Sequence, residues 1–281
     1  MLAAVENGDV KKVAELLKHN PGFKVNMRLD EHEWTLVHHA CLANHRSAVI
    51  PLLLAHPDID VNSRSENGST PFFFACLDGT TSCVREMLKD PRVKVNAPDY
   101  DGKTPLWYVA NWGHLDIIKW WITSGRKIDL GKPGKRVPDV IGTAKRNGRT
   151  EVVSLLERFK ENPRETRQAM RAEIGWYDEL AAEMFAMVVF VSDGLLQVAQ
   201  GNQYQPTSTP AARFFSIVRD LPFFKSNPKP LDVGSQRFFR IAAQLPLELQ
   251  MVLCHRLVGS DKEIISGRFS EVAFKELAKR I

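Results

Sequence analysis

The side chains with the most chemical reach in this chain are few and scattered. His38, His39 and Cys41 stand within four residues and are of the types that bind zinc. A closed zinc site needs four ligands, and no second His or Cys cluster accompanies them. Cys41, Cys76, Cys83 and Cys254 show no CxxC spacing, so buried, reduced thiols are expected. GKPGK at 131–135 has the glycines and lysines of a phosphate loop. It lacks the four-residue gap between the glycines, the Ser or Thr after Lys, and a preceding strand. No nucleophile elbow, HExxH pair or dinucleotide-binding glycine fingerprint occurs. No catalytic, cofactor-binding or metal-binding residue is assigned, and a protein without enzymatic activity or cofactor is expected.

The stronger pattern is a repeated one. EWTLVHHACLANH (33–45), GSTPFFFACLDGT (68–80) and GKTPLWYVANWGH (102–114) align with one another, their leading Thr falling at Thr35, Thr70 and Thr104, at spacings of 35 and 34 residues. In the third unit Asp99 and Gly102 frame a tight turn in which Gly tolerates positive φ. Thr104 can cap a helix and Pro105 suits its first position. Val109 and Ala110 are small enough for close packing of adjacent helices, and Gly113 ends the helix. A second helix over about 114–123 carries Leu115, Ile117, Ile118, Trp120, Trp121 and Ile122 as mostly core positions, and Trp107, Trp120 and Trp121 are read as structural. The second unit follows the same order. In the first unit Glu33 replaces the turn Gly and Leu36 replaces Pro, while Pro51 kinks or starts the second helix. Residues 1–28 match only the later part of a unit. Residues 134–160 form a degenerate one, with Pro138 at the place of Thr.

A period near 33 with a Thr-Pro-Leu-His-like start resembles the ankyrin repeat. The resemblance covers roughly residues 1–160 and implies an all-α solenoid of helix pairs with β-turn fingers, about three full and two partial repeats, in an ankyrin domain over 1–163. It also implies a concave protein-binding face made of finger tips and exposed inner-helix positions. By position these are Glu31, His32 and Trp34; Glu66 and Asn67; Tyr100, Asp101 and Lys103; and Asp78, Asn111 and Trp112. Trp34, Tyr100 and Trp112 are the sharpest of these, because Trp and Tyr dominate interface hot spots. His38 takes the family's usual His, which bonds backbone within the array.

Composition agrees with a protein of this kind. Of 281 residues, 44% are hydrophobic and 25% charged. The net charge of +5 is uneven: residues 101–150 carry 10 Lys/Arg against 4 Asp/Glu. That patch is read as solvated faces, so nucleic acid is a disfavoured partner. The longest apolar run, 184–191, is too short to span a bilayer, and no secretory leader is visible. The expectation is a cytoplasmic or nuclear monomer whose partner is another protein.

Past Pro163 the period stops, and an all-helical domain over 164–281 is expected, with a polar loop at 201–210. A helix of about 25 residues would carry the stripe Met170, Ile174, Tyr177, Leu180, Met184, Val188 and Val191. Shorter helices are expected at 210–220, 234–243, 246–258 and 269–280. Within this domain LPLELQMVLCHRL (245–257) resembles the opening of an F-box. Leu245, Pro246, Leu249, Leu253 and Leu257 would then dock the linker protein of a cullin-type ubiquitin ligase, although the usual Trp of that motif is missing. An enzyme with its site in the C-terminal helical domain is a further alternative.

Overall fold

A computed structural model describes residues 1–20, 22–131, 139–192, 242, 247–257 and 265–278. The chain divides into two compact units, Met1–Met170 and Arg171–Ile281. Among the described residues the secondary structure is helical, with no strand.

The first unit is a stack of helix pairs. Its inner helices are α1 (Leu2–Glu6), α3 (Leu36–Cys41), α5 (Pro71–Leu77), α7 (Pro105–Trp112) and α9 (Val140–Arg146). Their partners are α2 (Val10–His19), α4 (Ile50–Leu54), α6 (Thr81–Leu88), α8 (Leu115–Ser124) and α10 (Thr150–Glu161). Inner helices touch inner helices in chain order, and outer touch outer. A 3-10 stretch, Asn44–Val49, leads into α4, and Pro51 sits in the first turn of that helix and so sets its start.

Local chemistry explains each start. Thr70 Oγ1 accepts from Phe73 N and Thr104 Oγ1 from Trp107 N, each at 3.3 Å. In the first repeat Thr35 N donates to His38 Nδ1 at 3.1 Å. That nitrogen therefore carries no proton, and Nε2–H is left to donate to Ser69 O of the next repeat at 3.3 Å. Burial pushes the His38 pKa down to about 4, against the opposing effect of the Ser69 bond, so the ring stays neutral. The side chains at the helix contacts are small where expected: Ala40, Cys41, Ala75, Cys76, Val109 and Ala110 are fully buried. All four cysteines are buried and free. Desolvation holds the Cys83 and Cys254 thiols near pKa 11 and 12 respectively.

Two side-chain devices recur between successive repeats. Asn26 Nδ2 donates to Asp58 O at 2.6 Å while its Oδ1 accepts from Asp60 N at 2.8 Å. Asn62 does the same with Arg92 O and Lys94 N, and Asn96 with Lys127 O and Asp129 N. Arg92 reaches back to Leu54 O, and Arg126 to Leu88 O and Asp90 O, so each arginine serves the open C-terminal end of the preceding outer helix.

Three sequence expectations need correction. The cap of α9 is Asp139, whose carboxylate accepts from Gly142 N at 3.0 Å, and not Pro138, which lies outside the described residues. Asp139 stands 35 residues after Thr104, and a carboxylate caps as well as a hydroxyl. The long helix after Pro163 is two helices, α11 (Pro163–Glu173) and α12 (Trp176–Ser192), separated at Gly175 with φ +74°. Of the tryptophans read as structural, Trp121 is fully buried but Trp107 and Trp120 are only half-buried.

In the second unit α12 packs against α13 (Leu247–Leu257) and α14 (Gly267–Ala278). Ala181, Ala182, Met184, Phe185, Ala186, Val188, Cys254 and Ala273 are buried. The expected loop at 201–210 and helices at 210–220 and 234–243 lie outside the described residues, apart from the buried Ala242.

Glu33 occupies the left-handed turn position with φ +61°, where Gly68 and Gly102 sit in the next two repeats. Only glycine avoids the clash of a Cβ in this region. Glu33→Gly is therefore expected to stabilise the protein by about 1 kcal/mol, because the exposed Arg28–Glu33 ion pair that it removes contributes little. In a thermal melt the midpoint should rise by about 2–4 °C; a fall would mean the ion pair outweighs the strain.

Candidate protein-binding surface

Three fingers precede the inner helices of the central repeats, and each is closed by a main-chain bond: Ser65 N to Ser69 O and Asp99 N to Lys103 O in one register, and Leu29 N to Trp34 O one residue wider, at 2.8–3.0 Å. Asp30 Oδ1 accepts from His32 N and Trp34 N, and Asp99 Oδ1 from Lys103 N, which fixes the turns from within. The fingers are also joined to one another. Glu66 N donates to His32 O at 3.0 Å and Tyr100 N to Asn67 O at 3.2 Å. Main-chain bonds thus set the spacing of the tips.

Behind the tips runs a continuous row of rings. Trp34 meets His32 at 5.6 Å, His39 at 5.6 Å and Phe74 of the next repeat at 4.9 Å between centroids. Phe74 meets Phe73 at 6.2 Å, Phe73 meets Tyr108 of the third repeat at 5.0 Å, and Tyr108 meets Trp107 at 4.9 Å. These edge-on and tilted pairs contribute about 0.5–1.5 kcal/mol each beyond their buried area. Trp34, Phe74, Trp107 and Tyr108 remain half-exposed, so the row is both a joint between repeats and a surface. Phe74 and Tyr108 are not among the residues that the sequence singles out, and Trp107 is there read as structural. His38-His39, Phe73-Phe74 and Trp107-Tyr108 share two registers, but the ring contacts run between repeats.

The sequence-derived candidates separate into groups. Glu31, His32, Glu66, Asn67, Asp78, Tyr100 and Asp101 are exposed, and Lys103 is half-buried. Tyr100 is 71% and Trp112 53% exposed. Tyr100 lays its ring over Gly68, where a Cβ would come within 2.6 Å of it. Trp34 is instead a partly buried rung of the ring row, and Asn111 is engaged by the next repeat through Asn147 Nδ2 and Arg149 Nε. Burial lifts the Asp78 carboxyl above its ordinary value, with His114 opposing. In the other unit Leu249 is exposed on α13 and Leu253 half-buried; Leu257 ends the helix, and Leu245 and Pro246 lie outside the described residues.

No group of three or more His, Cys, Asp or Glu among the described residues is arranged to hold a metal ion. No helix among them is long and apolar enough to cross a membrane.

The family model described as "Ankyrin repeats (3 copies)" matches residues 43–132. Residues 43–132 are ankyrin repeats. The family is generally non-catalytic, and its repeats are protein-interaction modules. Curated relatives match about a third of this chain. The SMC5-SMC6 complex localization factor protein 1 of Bos taurus and that of Homo sapiens are each 39% identical over 97 residues, which is 34% of this chain and 9% of theirs. A putative ankyrin repeat protein of Rickettsia bellii is 30% identical over 101 residues, 36% of this chain and 55% of its own. The chain thus matches about a tenth of the mammalian relatives and about half of the rickettsial one.

The two tryptophans should separate in stability. Trp34→Ala removes three ring contacts and is expected to cost about 2 kcal/mol, whereas Trp112→Ala, at an exposed position, should leave the melt nearly unchanged. Equal losses in parallel thermal melts would show that Trp112 is also a packing residue.

Proposed function

We propose that this protein is a non-catalytic adaptor whose ankyrin array captures a protein partner across its finger tips and inner-helix face. The observation that carries this reading is the ring row spanning three repeats, together with the exposure of Tyr100 and Trp112. Its mechanism is rigid display. The fingers are tied by main-chain bonds and the rings by one another, so little side-chain entropy is lost on binding. The energetic anchors are Tyr100 and Trp112, with Trp34 holding the row in place. Glu31, His32, Glu66, Asn67, Asp78, Asp101, Lys103 and Asn111 provide the polar surround. The mammalian relatives are named for localising a complex, and an array that holds one protein in place suits a role of that type here. Four buried free thiols accord with a reducing, cytosolic or nuclear setting.

The test is affinity capture with the full chain, followed by titration of the captured protein. Tyr100→Ala and Trp112→Ala should each weaken binding by about tenfold or more, on the order of 2 kcal/mol, without lowering the melting temperature. Undiminished affinity in both variants would place the binding surface elsewhere.

A second reading, recruitment of a ubiquitin-ligase linker protein by 245–257, is favoured by one observation: Leu249 is 52% exposed on α13. Because Leu249 is exposed, Leu249→Asp should leave the fold intact. On this reading the linker protein co-purifies with the full chain and is lost from the variant; its absence from both samples removes the reading.

A further inference from the structure

Lys103 closes the third finger through its backbone, its N donating to Asp99 Oδ1 at 2.9 Å and its O accepting from Asp99 N at 3.0 Å. Its side chain has a separate fate. The ammonium lies 5.4 Å from the centre of the Trp107 ring and 5.8 Å from that of Tyr108, within the roughly 6 Å over which a cation is attracted to an aromatic face. Asp101 Oδ2 stands 3.4 Å from Nζ. A cation is thus held by two rings and a carboxylate on the same face as the ring row.

The two halves of this arrangement differ in firmness. The rings are fixed. Tyr108 is wedged edge-on between Phe73 at 5.0 Å and Trp107 at 4.9 Å, and its hydroxyl donates to Asp99 Oδ2 at 3.3 Å. The ammonium is held by polar groups at the rim, the Tyr108 hydroxyl and Asp101, with the Lys103 side chain 30% exposed. Its one carboxylate partner, Asp101, is 74% exposed, and an exposed pair of this kind contributes little to stability. Both ring distances are near the outer limit of the attraction. A preorganised cation seat whose internal occupant is held only at its rim can exchange that occupant for an equivalent cation.

We propose that Trp107, Tyr108 and Asp101 form a cation seat in which Lys103 is a displaceable occupant, and that a lysine side chain of the bound protein takes its place. The proposal rests on the reading of this face as the binding surface and names one chemical group that it recognises. The present occupant indicates the fit: a slim ammonium on an alkyl stem, its N–H groups directed to Asp101 and its charge to the ring faces. Exchange of one lysine for another leaves the charge of the seat unchanged, so binding need not strand Asp101 without a partner.

The test needs no partner protein. The full chain, labelled at the tryptophan indole nitrogens, is titrated with Nα-acetyl-lysine N-methylamide while the Trp107 resonance is followed by NMR. The neutral norleucine analogue and the trimethyl-lysine analogue serve as further probes. Removing the internal competitor should help, so in Lys103→Ala the lysine amide should half-saturate at a concentration about threefold lower or better than in the parent chain. Lys103→Met, which keeps the apolar stem, should behave likewise and guards against misfolding of the alanine variant. In a second sample labelled at the tyrosine rings, adding Trp107→Leu should abolish the response of Tyr108. No gain in either Lys103 variant, or equal shifts from the norleucine analogue, would overturn the cation seat. Tighter binding of the trimethyl form would overturn the choice of unmodified lysine. Failure here leaves partner capture through Tyr100 and Trp112 intact, because those positions are tested separately with the captured protein.

Discussion

The two-ended hydrogen bonding of Asn26, Asn62 and Asn96 is the constraint on which the other features of the array depend. Each side-chain amide donates to a carbonyl and accepts from an N–H two residues further along the next repeat. An amide is suited to this because it has both a donor and an acceptor on one planar group. The bonds fix how far and in which register one repeat lies from the next. Only with that offset fixed can His32 O meet Glu66 N, Asn67 O meet Tyr100 N, and the rings at 34, 74, 73 and 108 come edge to face. Helices of five to twelve residues would be marginal in isolation. Their stability comes from the stack, and the asparagines align it.

The same rigidity carries the function. A surface built from loose side chains would lose entropy on meeting a partner, whereas here the aromatic groups are already immobilised by one another and by the neighbouring repeat. Positive-φ positions at Gly68 and Gly102 allow the tight finger turns, and at Gly68 the missing Cβ also gives Tyr100 its resting place. The proposed cation seat is a local consequence of this order: Tyr108 can offer its face because its edge and its hydroxyl are both engaged.

Much of this was legible in the residues. Thr70-Pro71 and Thr104-Pro105 announce helix starts by a hydroxyl cap and a proline in the first turn, and both caps form. His38 could be assigned to backbone bonding, and it bonds Ser69 O. The exposed Tyr100 and Trp112 were placed by register alone. What was missed has physical causes. Asp139 was passed over because it caps with a carboxylate where the other repeats use a hydroxyl. The break at Gly175 was hidden because the apolar stripe runs through it at helical spacing, although a glycine tolerates the φ of +74° that turns the chain. The ring row escaped notice because its members differ in each repeat and pack across repeats, which periodicity within one unit does not reveal. Trp34 was read as a free tip for the same reason: its nearest ring, Phe74, is 40 residues away in the chain.

The central claim is that the inner-helix face, rather than the outer one, meets the partner. The most direct measurement is photo-crosslinking in a lysate of the source cells, with a photoreactive aromatic residue, which keeps a ring where Trp112 stands, placed either at the exposed position 112 on α7 or at the exposed position 116 on α8. The account predicts a discrete adduct from position 112 that is absent from position 116. An adduct from position 116 alone would contradict it.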